Sequence, residues 1–131
     1  MTRHLRLVQR AVRLRDERVQ KALELMHGDL TQRWTVTKLA KRVGLSRPAF
    51  ARKFVEGTGV SPLRYLTRAR MKRAAELLRT TNDGLARIGT QVGYVSEFAF
   101  NRAFKRAYQV APGTFRKLAL VTTMAPVCRA A

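Results

Sequence analysis

The sequence predicts an all-α protein in which two helix-turn-helix modules are joined by a long linker helix. The first observation is an internal duplication, because residues 43–66 are repeated as residues 92–116 with one inserted residue. The second is that each copy places a glycine and then a serine between two helical patterns, as in two helices joined by a tight turn. The third is the unbroken helical pattern between the copies. Stable solenoids usually need at least three copies, so two copies indicate a duplicated small module.

Aromatic, basic and proline positions carry the duplication. At a constant offset of 50 the matched pairs are Phe50 and Phe100, Arg52 and Arg102, Phe54 and Phe104, Val60 and Val110, and Pro62 and Pro112. Upstream, Leu39 and Val43 pair with Ile88 and Val92 at an offset of 49. One such corner of two helices could be a simple packing element. Two basic copies in register instead favour a repeated binding module.

The charge of the chain indicates a polyanionic partner. Among 131 residues there are 27 Lys and Arg against 8 Asp and Glu, which gives a net charge of +19 and a pI near 11.7. Such a charge concentrates polyanions near the surface, with nucleic acid the first candidate and an acidic membrane surface the second. The hydrophobic content of 46% is that of a folding chain and not of a disordered basic tail.

Several functional classes have little support. Cys128 stands alone, so the sequence offers neither a disulfide framework nor a Cys/His metal set with His4 and His27. No apolar run approaches 18 residues, which argues against a membrane span and for a soluble protein in a reducing setting. There is no carboxylate pair in an apolar setting and no Gly-rich phosphate loop. We therefore expect no enzymatic activity, no cofactor and no metal.

Hydrophobic periodicity and cap residues divide the chain into segments. A basic lead-in precedes an amphipathic helix from Asp16 to Asp29, whose stripe of Val19, Leu23 and Met26 should cover the first module. The predicted organisation is a lead-in at 1–15, a first module at 16–60, a linker helix at 61–80, a second module at 81–118 and a disordered tail at 119–131.

In the first module, Trp34 is predicted to cover the core and Thr35 to cap the first helix. Ser46 is the predicted N-cap of the second helix, which spans about 46–56 and turns Phe50 and Phe54 inward. In the second module the corresponding helices are 85–92 and 96–107, with Phe100 and Phe104 inward.

The linker helix begins at Ser61-Pro62, a cap followed by a proline, and runs to about Thr80. Its roughly 19 residues span about 28 Å at about 1.5 Å per residue. That length is close to one turn of B-DNA, about 34 Å. The linker could thus place two helices in successive major grooves on one DNA face, and a generic solvated helix remains the alternative. The predicted apolar stripe is Leu63, Leu66, Ala74, Leu77 and Leu78.

Asp83 is a predicted cap of the second module's first helix, and Pro112 begins a last short helix that should end near Leu118.

From about Asp16 to Lys117 the chain resembles the DNA-binding domain of the AraC/XylS family of bacterial transcription regulators. The stretches that carry the resemblance are WTVTKLAKRVGLSRPAFARKF, PLRYL with RMKRAAELL, and IGTQVGYVSEFAFNRAFKRAYQVAPGTFR. The resemblance implies about seven helices in homeodomain-like three-helix units. It also implies sequence-specific binding of double-stranded DNA by two recognition helices, 46–56 and 96–107, in adjacent major grooves. The expected location is the bacterial cytoplasm, with the protein on the nucleoid when bound.

Three features depart from the family pattern. Gly89 stands inside a short helix where the family usually has alanine, at a cost of about 1 kcal/mol. The turn that contains Gly57 and Gly59 in the first module has Ala107 and Gln109 in the second, so a left-handed residue there would cost about 1–2 kcal/mol. Family members of this type usually carry an effector-binding, dimerising domain upstream. The chain is therefore expected to be either a minimal stand-alone regulator or a shortened one.

The resemblance places base-reading side chains on both recognition helices. Arginine is the commonest reader of guanine and asparagine pairs with adenine, which suits Arg52, Arg102 and Asn101. Phosphate binding or a local salt bridge remains open for the two arginines. Glu97 either accepts from cytosine N4 or only complements the helix dipole. The candidate base contacts are Arg47, Ala51, Arg52, Glu97, Phe98, Ala99, Asn101 and Arg102.

Phosphate contacts are expected at the two helix N-termini and from flanking cations. They are Ser46, Lys53, Ser96, Lys105 and Arg106. The expected partner is double-stranded DNA, with RNA polymerase a further candidate and no membrane partner. Because the duplication supplies two reading elements, we expect a monomer in isolation. A non-specific nucleoid or RNA-binding protein, and a membrane-surface protein using the Arg-rich first segment, are the competing binding classes.

Overall fold

The computed structural model describes residues 16–124, and the predictions for residues 1–15 and 125–131 lie outside them. The described residues form seven helices and no strand, as the all-α prediction requires. The helices are α1 (Glu17–Gly28), α2 (Val36–Val43), α3 (Arg47–Thr58), α4 (Pro62–Thr80), α5 (Leu85–Gln91), α6 (Glu97–Tyr108) and α7 (Pro112–Met124). The chain divides into two compact units between Leu66 and Thr67, inside α4.

The first unit packs α1, α2 and α3 around two phenylalanines. Phe50 and Phe54 are fully buried, with ring centres 5.7 Å apart, and Met26 of α1 packs in the same cluster. Trp34 is buried as well, and its indole N–H donates to the carbonyl of Asp29 at 3.0 Å. This bond satisfies the one polar group of the side chain, which confirms the prediction that Trp34 covers the core.

The second unit repeats this arrangement with more aromatic contacts. Phe100 and Phe104 are fully buried beside Ile88. The ring of Phe104 lies 4.7 Å from that of Tyr108 and 5.2 Å from that of Phe115. These contacts join α6 to the start of α7.

The predicted apolar stripe of α4 is only partly right. Leu66, Ala74, Leu77 and Leu78 are buried, but Leu63 is 47% exposed. The prediction also missed Met71, which is 1% exposed. A single stripe assumes a single core, whereas Leu66 belongs to the first hydrophobic cluster and Met71 to the second.

The turn of each module is closed by an equivalent backbone hydrogen bond. The N–H of Leu45 donates to the carbonyl of Ala40 at 2.9 Å, and that of Tyr94 donates to Gly89 at 2.8 Å. Tyr94 is thus the counterpart of Leu45. The residue inserted in the second copy is therefore Val95, which is 83% exposed.

Two predicted helix ends are wrong. The residue at the N-cap of α5 is Gly84 without a side-chain cap, while the Asp83 carboxylate lies 3.9 Å from the Arg87 guanidinium. Asp83 lies one residue before the N-cap position, so its carboxylate faces Arg87 in the first turn and does not cap the helix. At the other end α7 continues to Met124, past the predicted end near Leu118. Once a helix has begun, each added residue costs little, and no Gly or Pro interrupts this stretch.

Candidate nucleic-acid interface

Helix α3 begins with a complete cap and presents a basic face. Ser46 accepts a hydrogen bond from the N–H of Ala49 at 3.3 Å, and a proline follows within the first turn. Because Phe50 and Phe54 point into the core, Arg47 and Arg52 are exposed on the rest of the helix. Ala51, which precedes Arg52, is half-buried and carries only a methyl group.

Helix α6 is built in the same way but presents a different face. Ser96 accepts a hydrogen bond from the N–H of Ala99 at 3.0 Å, which confirms the predicted cap. Glu97, Ala99 and Arg102 are exposed, and Phe98 is 71% exposed. Single exposed apolar side chains are common on folded surfaces, so it is the place of Phe98 in the first turn of α6 that makes it a candidate contact.

Phe98 and Arg102 contact each other on this face. The guanidinium carbon of Arg102 lies 5.6 Å from the centre of the Phe98 ring, one helical turn away. A cation over an aromatic ring is attracted by its negative face. This contact restricts the conformations of a long side chain before any partner binds. Sequence reasoning placed both residues on the face but did not pair them, although their spacing of four was visible.

Asn101 differs from its prediction, because it is partly buried and not fully exposed. Its Oδ1 atom is buried and has no hydrogen-bond partner within residues 16–124. An amide group held this way keeps unused bonding capacity. To reach a base edge, the side chain must rotate out of its present position.

The predicted phosphate-binding residues lie at the helix starts and flanks. The hydroxyls of Ser46 and Ser96 use their oxygen as the cap acceptor, and each retains an O–H that can donate to an anion. Lys105 and Arg106 are exposed on α6, whereas Lys53 on α3 is half-buried. The helix N-termini add partial positive charge at the same places.

An open cleft of about 500 Å³ lies beside the exposed face of α6. It is lined from α6 by Phe98, Asn101, Arg102 and Lys105, and from the start of α7 by Pro112, Gly113, Thr114 and Lys117, with Leu85 and Ala111. Its floor is apolar and its rim is cationic. The candidate reading face of α6 therefore continues into a surface that suits an anion with apolar parts.

A half-buried pair, Arg70 of α4 and Tyr94 of the turn before α6, was not anticipated. The Arg70 guanidinium carbon lies 5.9 Å from the ring centre of Tyr94. Burial raises the pKa of Tyr94, while the positive charges of Arg70 and Arg106 oppose that rise. Burial also lowers the pKa of the Arg70 guanidinium. The pair fixes the turn before α6 against α4.

The described residues contain no group of three or more His, Cys, Asp and Glu side chains that could hold a metal ion. Within 16–124, no helix combines the length and the apolar character needed to cross a bilayer.

The fold and the paired helices define a helix-turn-helix protein, and residues 39–118 match the family model described as a helix-turn-helix domain. The chain belongs to the AraC/XylS family, in the part that family members use as their DNA-binding domain. It is 44% identical over 104 residues to an AraC-like protein of Streptomyces lividans, a match that covers 79% of this chain and 34% of the relative. It is 36% identical over 84 residues to the regulator MtrA of Neisseria gonorrhoeae, covering 64% of this chain and 28% of that one.

Solved structures show the same fold. The C-terminal domain of AraT, a response regulator of Geobacillus stearothermophilus, is 30% identical with a TM-score of 0.76 and covers 79% of this chain and 86% of that one. The DNA-binding domain of AdpA, solved with a target DNA, is 27% identical with a TM-score of 0.75. The match covers 83% of this chain and 96% of the AdpA domain. The chain spans about a third of the length of the curated relatives it matches.

Proposed function

We propose that the chain binds double-stranded DNA in a sequence-dependent manner and acts in bacterial transcription regulation. Its recognition helices are α3 and α6, and each enters a major groove, the two grooves being adjacent on one DNA face. The observation that carries this proposal is the repeated design of the two helices. Each is serine-capped, buries two phenylalanines and exposes an arginine at the same register, Arg52 or Arg102.

The charge and the family support the same function. The net charge of +19 provides the sequence-independent attraction to phosphates. The match to AraC-like regulators favours transcription over other uses of DNA. The similar DNA-binding domain of AdpA was solved in complex with a target DNA, which supports the same proposal. The length of α4, 19 residues, suits a spacing near one helical turn of DNA.

We assign guanine reading to Arg52 and Arg102 and a flanking contact to Arg47. Exposed arginine forks pair with guanine O6 and N7 in the major groove. Ala51 leaves room for a thymine methyl group, and Ala99 does the same on α6. Asn101 pairs with adenine after its side chain rotates outward.

Glu97 keeps its two proposed roles, cytosine reading and support of the helix dipole. Backbone phosphates are bound by the groups at the helix starts and flanks, which are Ser46, Lys53, Ser96, Lys105 and Arg106.

Several coarser properties follow as parts of the same proposal. The chain acts without enzymatic chemistry, is a monomer in isolation and functions in the bacterial cytoplasm on the nucleoid. RNA polymerase is its proposed protein partner. Its proposed organisation is a first reading module at 16–60, a linker at 61–80 and a second module at 81–118. Light scattering of the purified chain tests the monomer, and a dimer at micromolar concentration would contradict it.

The experiment that tests DNA reading is a selection from random duplexes at about 150 mM salt. We expect two short motifs one helical turn apart, within about 17–20 base pairs in total. Affinities for the selected operator and for scrambled DNA are then measured for Arg52→Ala, Arg102→Ala and the control Arg18→Ala, which removes an exposed charge on α1.

Each reading arginine should lose about 1–3 kcal/mol of discrimination, and each in its own half of the operator. The control should weaken binding to all DNA equally. A uniform loss for Arg52→Ala and Arg102→Ala would assign them to phosphates. Failure to enrich any sequence, with affinity collapsing as salt rises, would favour a non-specific polyanion binder.

A further inference from the structure

The exposed face of α6 carries one aromatic side chain that the fold does not use. All six phenylalanines lie within residues 16–124, and four of them, Phe50, Phe54, Phe100 and Phe104, are fully buried. Phe115 is partly buried against the second core. Phe98 alone is mostly exposed, at 71%, and it lies in the first turn of a recognition helix.

The N-terminal residues of a recognition helix contact base edges in the major groove. Phe98 lies in that first turn of α6 and is therefore placed to contact a base. The thymine C5-methyl is the one apolar group that the bases present there. An exposed ring at this position gains nothing from water and can gain from covering that methyl group.

The contact with Arg102 ties the ring to a second base. The guanidinium carbon lies 5.6 Å from the ring centre. Successive bases are about 3.4 Å apart along a strand, so two groups at this separation face bases one or two steps apart. The guanidinium covers one face of the ring, and the exposed remainder is open to a base.

We infer that Phe98 and Arg102 read thymine and guanine as one unit, with the ring on the thymine methyl and the guanidinium on guanine one or two base pairs away. This inference rests on the proposed function. It predicts that tight binding requires a thymine methyl group in the half of the operator bound by the second unit.

The first unit lacks the same device. At an offset of 50, Pro48 occupies the place of Phe98 and Ala51 that of Asn101. Within residues 16–124, Arg52 makes no contact between its guanidinium group and an aromatic ring. Methyl reading coupled to guanine reading is thus expected in one half of the operator only.

The test replaces thymines in the selected operator by deoxyuridine, one at a time, which removes a single methyl group and leaves base pairing intact. For the wild-type chain we expect about fourfold weaker binding at one thymine of the second half, since burying one such carbon is worth about 0.8 kcal/mol. For Phe98→Ala, thymine and uracil at that position should bind equally. Leu120→Ala, which trims another exposed apolar side chain of the same unit (56% exposed), should keep the fourfold difference.

A second variant separates the two roles of the ring. Phe98→Leu keeps an apolar contact but removes the aromatic face, so the methyl effect should persist while discrimination at the neighbouring guanine falls. Circular dichroism and thermal melting confirm that each variant is folded. The deoxyuridine series on the wild-type chain needs no variant at all.

The outcomes separate this inference from the proposed function. If the wild-type chain prefers its operator to scrambled DNA but binds every deoxyuridine version of the second half equally well, the inference is wrong and sequence-dependent binding stands. If Phe98→Ala retains the thymine preference, the methyl is read by another residue and the inference is also wrong. If no operator is preferred over scrambled DNA, the proposed function itself fails.

Discussion

A Cβ atom on Gly89 would lie 3.1 Å from the Cβ of Phe100, which is tighter than nine in ten Cβ contacts, so α5 and α6 pack closely at this glycine. The equivalent position in the first unit is Ala40, which is buried in the cluster that contains Phe50. The same helix pair therefore accommodates a methyl group in one copy and lacks it in the other.

We expect Gly89→Ala to raise the free energy of unfolding by up to about 1 kcal/mol, because alanine is that much better in a helix interior. Phe100 must yield by a few tenths of an ångström. Chemical denaturation of the variant measures the change. The reciprocal Ala40→Gly is the control and should lose about 1 kcal/mol or more. Destabilisation by Gly89→Ala would show that Phe100 cannot move and that overpacking dominates.

Gln109 should be a site of stored strain. It has a φ of +67° and is the only non-glycine residue with positive φ in the described part of the chain, whereas its counterpart Gly59 has a φ of +83°. Gln109→Gly removes the cost of a left-handed non-glycine residue, about 1–2 kcal/mol. Glycine also gives the unfolded chain more conformational entropy, which offsets part of that gain. We expect the free energy of unfolding, measured by thermal melting, to rise by about 0.5–1 kcal/mol in total. Gly59→Gln, the mirror substitution, should lose stability; a neutral Gly59→Gln would argue against strain at this turn.

Ser96 should contribute to DNA affinity separately from its contribution to stability. Aspartate caps a helix as well as serine does, so Ser96→Asp should leave the unfolding free energy nearly unchanged. A carboxylate near a backbone phosphate should weaken binding to all DNA about fivefold, with the effect shrinking as salt rises. Ser96→Asn has the same shape without the charge and is the matched control. Equal affinities of the Asp and Asn variants would remove Ser96 from the set of phosphate contacts.

Arg116 should be a stabilising residue and not a DNA contact. Its Nε donates to the carbonyl of Leu78 at 3.2 Å and its Nη2 to that of Thr81 at 3.3 Å, which satisfies acceptors at the end of α4. Arg116→Ala should lose about 1.5–3 kcal/mol, as for hydrogen bonds to a charged group. Lys117→Ala, next to it and exposed, should change stability little. A loss below about 0.5 kcal/mol for Arg116→Ala, measured by urea denaturation, would show that water replaces both bonds.

Tyr94 should make stability fall at alkaline pH. Burial raises its pKa above the ordinary value, so the folded state holds the phenolic proton more tightly than the unfolded chain does. The stabilisation is complete below the unfolded pKa of about 10 and is lost as pH rises through the folded pKa. The stability difference between the wild-type chain and Tyr94→Phe should therefore shrink as pH rises above about 10. A constant difference over that range would contradict the assignment.

The helices and their inward faces were predictable from the sequence because periodicity and caps are local signals. Ser46, Ser96, Phe50 and Phe100 lie where their spacing predicted. For the apolar stripe of α4 the prediction failed because the deciding contacts are distant in sequence. Leu63 is exposed because α4 serves two separate clusters, and no local pattern reports that division.

The candidate site shows the same limit. The sequence predicted which residues lie on the face of α6, since the buried phenylalanines fix the orientation of the helix. It did not predict that Asn101 is half-buried with its Oδ1 unpartnered within residues 16–124, because burial of a single atom depends on tertiary packing. The contact between Phe98 and Arg102 depends on side-chain conformations that spacing permits but does not select.

The sequence by itself determined the duplicated module, the serine caps of α3 and α6, the basic character and the family. These features are encoded by residues near each other in the chain and by its total charge. Only the tertiary structure decided that the inserted residue is Val95, that Gly89 is held against Phe100 and that Arg116 closes the end of α4. The contact of Gly89 and the bonds of Arg116 join different helices and arise only when those helices meet. The assignment of Val95 depends on which N–H groups close the two turns, and spacing alone does not show that.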